Sequence, residues 1–228
     1  MKSAIMRHTT EPCRRARAFA RSFLADSRGV SILELALSLP LLLTLGLYGT
    51  EMAYMATVNT QVGAIANSVA DNASRLGQTD NSAVTPTVTE TEINSVMSGA
   101  LVQGNAFDFE KQGRIILSSL EKDSATGKQY IHWQRCKGDY DHASRYGPEG
   151  TGLDDGTTLA GMGEAGHLIT ANSNSAVMFV EVYFHYQPLF GTVFVGDTTF
   201  SREAAFIIRD DRNLTPGVTG TANQSACS

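Results

Sequence analysis

Three observations predict an α+β protein in which a long N-terminal helix carries a small head with an antiparallel sheet. Val30 to Met55 is a run of 26 residues with only two charges, Glu34 and Glu51. A stripe of apolar residues at intervals of three and four then continues from Met52 to Leu76, the pattern of an amphipathic helix. After Gln112 the period changes, and runs rich in β-branched and aromatic residues are separated by glycine-containing turns, which marks strands.

The start of the chain is basic. Residues 1–29 hold seven of the 18 Lys and Arg (Lys2, Arg7, Arg14, Arg15, Arg17, Arg21 and Arg28) against Glu11 and Asp26. The remainder holds 11 basic and 21 acidic residues, with no Lys or Arg between Arg28 and Arg75. By the positive-inside rule this asymmetry predicts a cytoplasmic N-terminus and an exported body. An acidic body repels phosphate, so nucleic acid is excluded as a partner. About 20 apolar residues suffice to cross a bilayer. Residues 1–29 are therefore expected to be a cytoplasmic leader, 30–55 the transmembrane half of one helix, 56–76 its amphipathic half, and 77–228 an exported head. A cleaved secretory signal is the other reading of such a start, but no small-x-small site closes the apolar run.

Asp26 and Ser27 are competent N-caps for this helix. From there to Leu76 it would have about 50 residues and run about 75 Å. Pro40 lacks a backbone N–H and is expected to kink it, with Gly46 and Gly49 close behind. Glu34 is the anomaly, because a carboxylate near the bilayer centre costs roughly 2.5–3.5 kcal/mol. It becomes tolerable beside an ammonium, or near the cytoplasmic interface, where its head reaches water.

In the head, residues 77–91 read as a linker rich in Thr, Ser and Asn. Residues 92–105 read as a helix with Ile93, Val96, Met97, Ala100 and Leu101 on one face and Thr89 or Thr91 as its cap. Residues 113–120 and 128–136 form a predicted hairpin around a turn at 123–127. Glycines and acids dominate 137–163, a predicted surface loop. The strongest strand is 176–186, with Met178, Val180, Val182, Phe184 and Tyr186 on its apolar face. A last strand covers 198–209. With two helices followed by strands, the amphipathic helix is expected to lie on one face of an antiparallel sheet.

Of the three cysteines, Cys13 falls in the leader and Cys136 and Cys227 in the exported part, where disulfides persist. The simplest expectation is a Cys136–Cys227 bridge; free thiols, or an intermolecular bond through Cys227, are the alternatives. His132, His142, His167 and His185 have no metal-ligand spacing. Asp139, Asp141, Asp154 and Asp155 lack the ligand spacing and terminal glutamate of a calcium loop. Ser201 and Glu203 have no base in an identifiable motif, and no phosphate-binding or dinucleotide fingerprint occurs. No enzymatic activity, metal or cofactor is expected.

Gly29 followed by Val30-Ser31-Ile32-Leu33-Glu34 and an apolar run resembles the processing site of type IV pilin-like proteins. The resemblance narrows with Leu35-Ala36-Leu37-Ser38-Leu39-Pro40, Ile131-His132-Trp133-Gln134-Arg135-Cys136, the strand from Val180 to Leu189, and Ala205-Phe206-Ile207-Ile208-Arg209. Together these look like the TadE family, minor pseudopilins of the tight-adherence (Flp) pilus machinery, over residues 27–76 and 113–210. Loop 137–163 and the tail match nothing in it. TadF, a sister pseudopilin, shares the build, and the longer TadG relatives add a domain for which this chain has no room. The resemblance implies cleavage after Gly29 by a prepilin peptidase. It implies a new amine on Val30 that pairs with Glu34 in its own chain or a neighbour's. Its implied partners are other pseudopilins, pilus platform proteins and inner-membrane lipid. The competing expectation is an uncleaved, single-pass, membrane-anchored binding or adhesion module.

Overall fold

The computed structural model describes residues 22, 28–77, 85–153, 156–209, 211–220 and 224–227. Most of the leader, including Cys13 and the caps Asp26 and Ser27, residues 78–84 of the linker, and Asp154 and Asp155 lie outside the described residues. Helix α1 is continuous over Arg28–Ser74, with Pro40 inside it. The boundary between two compact units falls within it, between Thr50 and Glu51.

In the first unit, every Val, Ile, Leu and Tyr side chain from Val30 to Tyr48 is exposed. Burying one such side chain is worth about 1.5–3 kcal/mol, so keeping them all in water would outweigh the roughly 5–15 kcal/mol net stability of a typical domain. The helix is long and apolar enough to cross a membrane.

The second unit is α+β. Strand β1 (Val88–Thr89) is followed by helices α2 (Glu90–Gln103) and α3 (Phe109–Gln112) and then by strands β2 (Gly113–Lys122), β3 (Gln129–Lys137), β4 (Ala176–His185), β5 (Thr199–Ile207) and β6 (Val218–Thr219). The main sheet is antiparallel in the order β3-β2-β4-β5, and β1 pairs in parallel with β6. The predicted strands are all present; the short β1–β6 pair was not anticipated. Val58, Val62, Ile65, Val69 and Ala73 of α1 share one core with Ile93 and Met97 of α2 and with Met178, Val180, Val182 and Phe184 of β4.

Helix α2 starts two residues earlier than periodicity suggested, because Thr89 builds a capping box. Its hydroxyl accepts from the Glu92 amide at 3.3 Å, and its own amide donates to Glu92 at 2.9 Å. Glu90, in the first turn, is buried and accepts from Arg135 of β3 at 2.9 Å, a pair that Glu149 joins from the other side at 3.1 Å. The ladder between β2 and β3 slips where Ser119 faces Trp133 and Leu120 faces Ile131. His132 is the extra residue, so Ile131 and Trp133 face different cores.

The segment after β3 is more than a surface loop. Met162 and Ala171 are buried with Phe179, Val177 and Leu120, and Tyr146 packs against them, so the second face of the sheet is covered as well. The same segment caps the β3 edge: Ile131 N–H donates to Thr151 at 3.0 Å, and Gly150 N–H donates to Ile131 at 2.8 Å. Gly152 makes this approach possible. Its φ is +95°, and a Cβ there would lie 2.4 Å from the Gln129 carbonyl oxygen. The C-terminal tail completes the edge, with Cys136 N–H donating to Ser225 at 2.7 Å and a disulfide joining Cys136 to Cys227. Bridging residues 91 apart removes enough freedom from the unfolded chain to contribute up to about 4–5 kcal/mol in the chain-entropy model.

Candidate functional site

The predicted processing and assembly residues lie on the apolar part of α1. Gly29 and Val30 sit in its first turn, and a side chain added at Gly29 would meet nothing within 4 Å. A first turn holds the fewest hydrogen bonds of a helix and opens most readily. Glu34 is exposed on the helix surface. Four residues separate it from Val30, which places the two on one helix face about 6 Å apart along the axis. Helical structure runs through Pro40, and the Thr44 hydroxyl donates to the Pro40 carbonyl at 2.7 Å.

The other acid of the apolar run has a role that hydropathy alone does not reveal. Glu51 is fully buried in the second unit. It accepts from the Tyr186 hydroxyl at 2.5 Å, from Leu189 N–H at 3.3 Å and from Phe190 N–H at 3.1 Å. Three donors make a buried carboxylate affordable. Burial, and then the Glu51 carboxylate beside it, push the Tyr186 hydroxyl well above the ordinary tyrosine range. The signal was available in the sequence: Glu51 lies four residues before Met55, on the same stripe as Val58 and Val62. Residues 52–55 follow it into the head, where Met52, Tyr54 and Met55 pack on the core.

A second set of acids lies on the loop-covered face. Glu181 is fully buried and accepts from Ser144 Oγ at 2.5 Å, Arg145 N–H at 2.9 Å and Tyr183 Oη at 2.7 Å. Its cross-strand partner Glu203 accepts from Tyr146 Oη at 3.0 Å and pairs with Arg145 at 3.2 Å. Burial first, then the bond to Glu203, push the Tyr146 hydroxyl up to about 12. Beside them is a cavity of about 510 Å³ lined by Arg145, His167, Phe179, Ser201 and Glu203. Ser201 and Glu203 thus border a cavity, but Glu203 is committed to Tyr146 and Arg145.

The histidines are dispersed. His132 Nδ1 lies 2.9 Å from Glu121, His185 pairs with Asp197 at 3.3 Å, and the His142 ring stacks on Tyr183 at 3.6 Å. Among the described residues no group of three or more His, Cys, Asp or Glu is arranged to hold a metal ion. Comparison of the chain with protein families, curated proteins and solved structures finds no match.

Proposed function

We propose that this chain is a minor pseudopilin of a Tad (Flp)-type pilus, pilin-like in build and non-enzymatic. It is anchored by one span in a bacterial inner membrane, N-terminus inside and head in the periplasm. A prepilin peptidase removes the leader after Gly29, and the protein then takes part in pilus biogenesis or initiation. The observation that carries this reading is Glu34, an exposed acid one helical turn beyond Val30 and the sole charged residue between Val30 and Thr50. Cleavage leaves an ammonium on Val30, the neutralising charge that a carboxylate in lipid or in a filament core requires. The apolar first half of α1 then packs against lipid or neighbouring helices, with other pseudopilins and platform proteins as partners. A second reading, an uncleaved anchored binding module, is favoured by the Arg145-lined cavity.

Intact mass separates the two. Protein purified from membranes with a co-expressed prepilin peptidase is expected to begin at Val30, and Gly29→Ala to keep its leader. A full-length mass with and without the peptidase overturns the pseudopilin reading.

A further inference from the structure

Residues 186–196 form an eleven-residue stretch without a charge, Tyr-Gln-Pro-Leu-Phe-Gly-Thr-Val-Phe-Val-Gly, between His185 and Asp197. It connects β4 to β5 through a short turn at Gly191–Val193. Two of its apolar side chains face outward: Leu189 is 51% exposed and Val193 78%, the latter more than any large apolar side chain of the membrane-type run. Phe190 and Phe194, both half-buried, set their rings edge to face 6.2 Å apart.

The loop is held at a particular point of the chain. Glu51, which ties down Tyr186, Leu189 and Phe190, follows directly after Thr50, the last residue of the apolar unit. Among the described residues, the head's most exposed large apolar side chain therefore belongs to a loop fastened where the chain leaves its membrane-type segment. Glu51 also accepts from two backbone amides of the loop, groups that would otherwise oppose contact with lipid. An irregular turn cannot sit in the hydrocarbon itself, and Asp197, with its side chain 84% exposed, limits the depth. Aromatic and aliphatic side chains with uncharged neighbours suit the bilayer interface.

We infer that the 186–196 loop is a lipid-binding contact, through which Leu189 and Val193 enter the headgroup region of the membrane that anchors the chain. The inference rests on the anchored topology proposed above and is independent of cleavage after Gly29.

The test uses the full chain in phosphatidylcholine–phosphatidylglycerol vesicles, with Cys13→Ser so that a single introduced thiol carries an environment-sensitive fluorophore. Val193→Cys is compared with Lys128→Cys, in the β2–β3 turn, and with Leu43→Cys, in the apolar run. The Val193 label is expected to be quenched by lipids with a shallow nitroxide and to resist aqueous iodide several-fold better than the Lys128 label. Iodide quenching equal to that at Lys128 overturns the inference. So does shielding from both quenchers, which means that protein, such as a second copy, covers the loop. A lipid-quenched Leu43 label beside an iodide-quenched Val193 label defeats the loop contact alone. Failure of lipid to quench Leu43 defeats the anchored topology with it.

Discussion

On the side of the sheet turned to α1, Met178, Val180, Val182 and Phe184 of β4 meet Val62, Ile65 and Val69 in an apolar core that Trp133 joins from β3. On the other side the next residues of the same strand do different work. Phe179 and Val177 pack beneath Met162 and Ala171, while Glu181 gathers Ser144, Arg145 and Tyr183 around one carboxylate. The first face gains its stability from apolar area, which is non-directional and tolerates small shifts. The second depends on donors within hydrogen-bond distance of a buried acid, where a missing partner costs more than a present one contributes. The same strand can thus be anchored by a helix through periodicity and by a glycine-rich loop through polar satisfaction.

The largest expected break is on the helix face. Ile65→Ala, at a fully buried site, should destabilise the protein by about 2–5 kcal/mol. Urea unfolding in micelles, followed through Trp133, the single tryptophan, measures it; a loss under 1 kcal/mol would show that α1 is not part of this core.

Next comes Glu181→Leu, which leaves the Ser144, Arg145 and Tyr183 donors without their acceptor. A loss of about 1.5–3 kcal/mol is expected, and amides of 144–163 should exchange faster while those of 58–73 keep their protection. Equal acceleration on both sides would mean that the faces do not open separately.

The smallest effect lies at His132, where the two faces change over. The hydrogen bond to Glu121 raises its pKa above the ordinary 6.5, against burial, which lowers it. A raised folded value means the His132–Glu121 contribution is complete below pH 6.5 and is lost as pH rises through the folded value. Relative to His132→Gln, the wild type should lose no more than about 1 kcal/mol between the acid and alkaline sides of that window. Urea midpoints at several pH values measure it, and parallel curves for the two proteins would remove the pair from the account.

How far each feature was legible follows the same division. The helix predicted over 27–76 is found at Arg28–Ser74, and the four main strands fall within two residues of their expected limits. Periods of 3.6 and 2 are carried by adjacent residues and survive without knowledge of the partner. The earlier start of α2 was written in Thr89 and Glu92, a capping box that apolar periodicity does not register. The slip at His132 was not written locally, since a bulge is defined against the strand opposite. Residues 137–163 were read for their glycines and acids, and those describe a loop equally well whether it floats or packs.

By itself the sequence determined the apolar character of residues 30–55, the amphipathic stripe that follows and the strand order along the chain. Each rests on composition or on spacings of at most five residues. Only the tertiary structure decided which acids are satisfied and by what. Glu51 meets Tyr186 across 135 residues, Arg135 meets Glu90 across 45, and Ser144 meets Glu181 across 37. Hydrophobic burial needs only a face, which a periodicity announces. A hydrogen bond near 3 Å needs two particular atoms in line, and the fold alone brings them there.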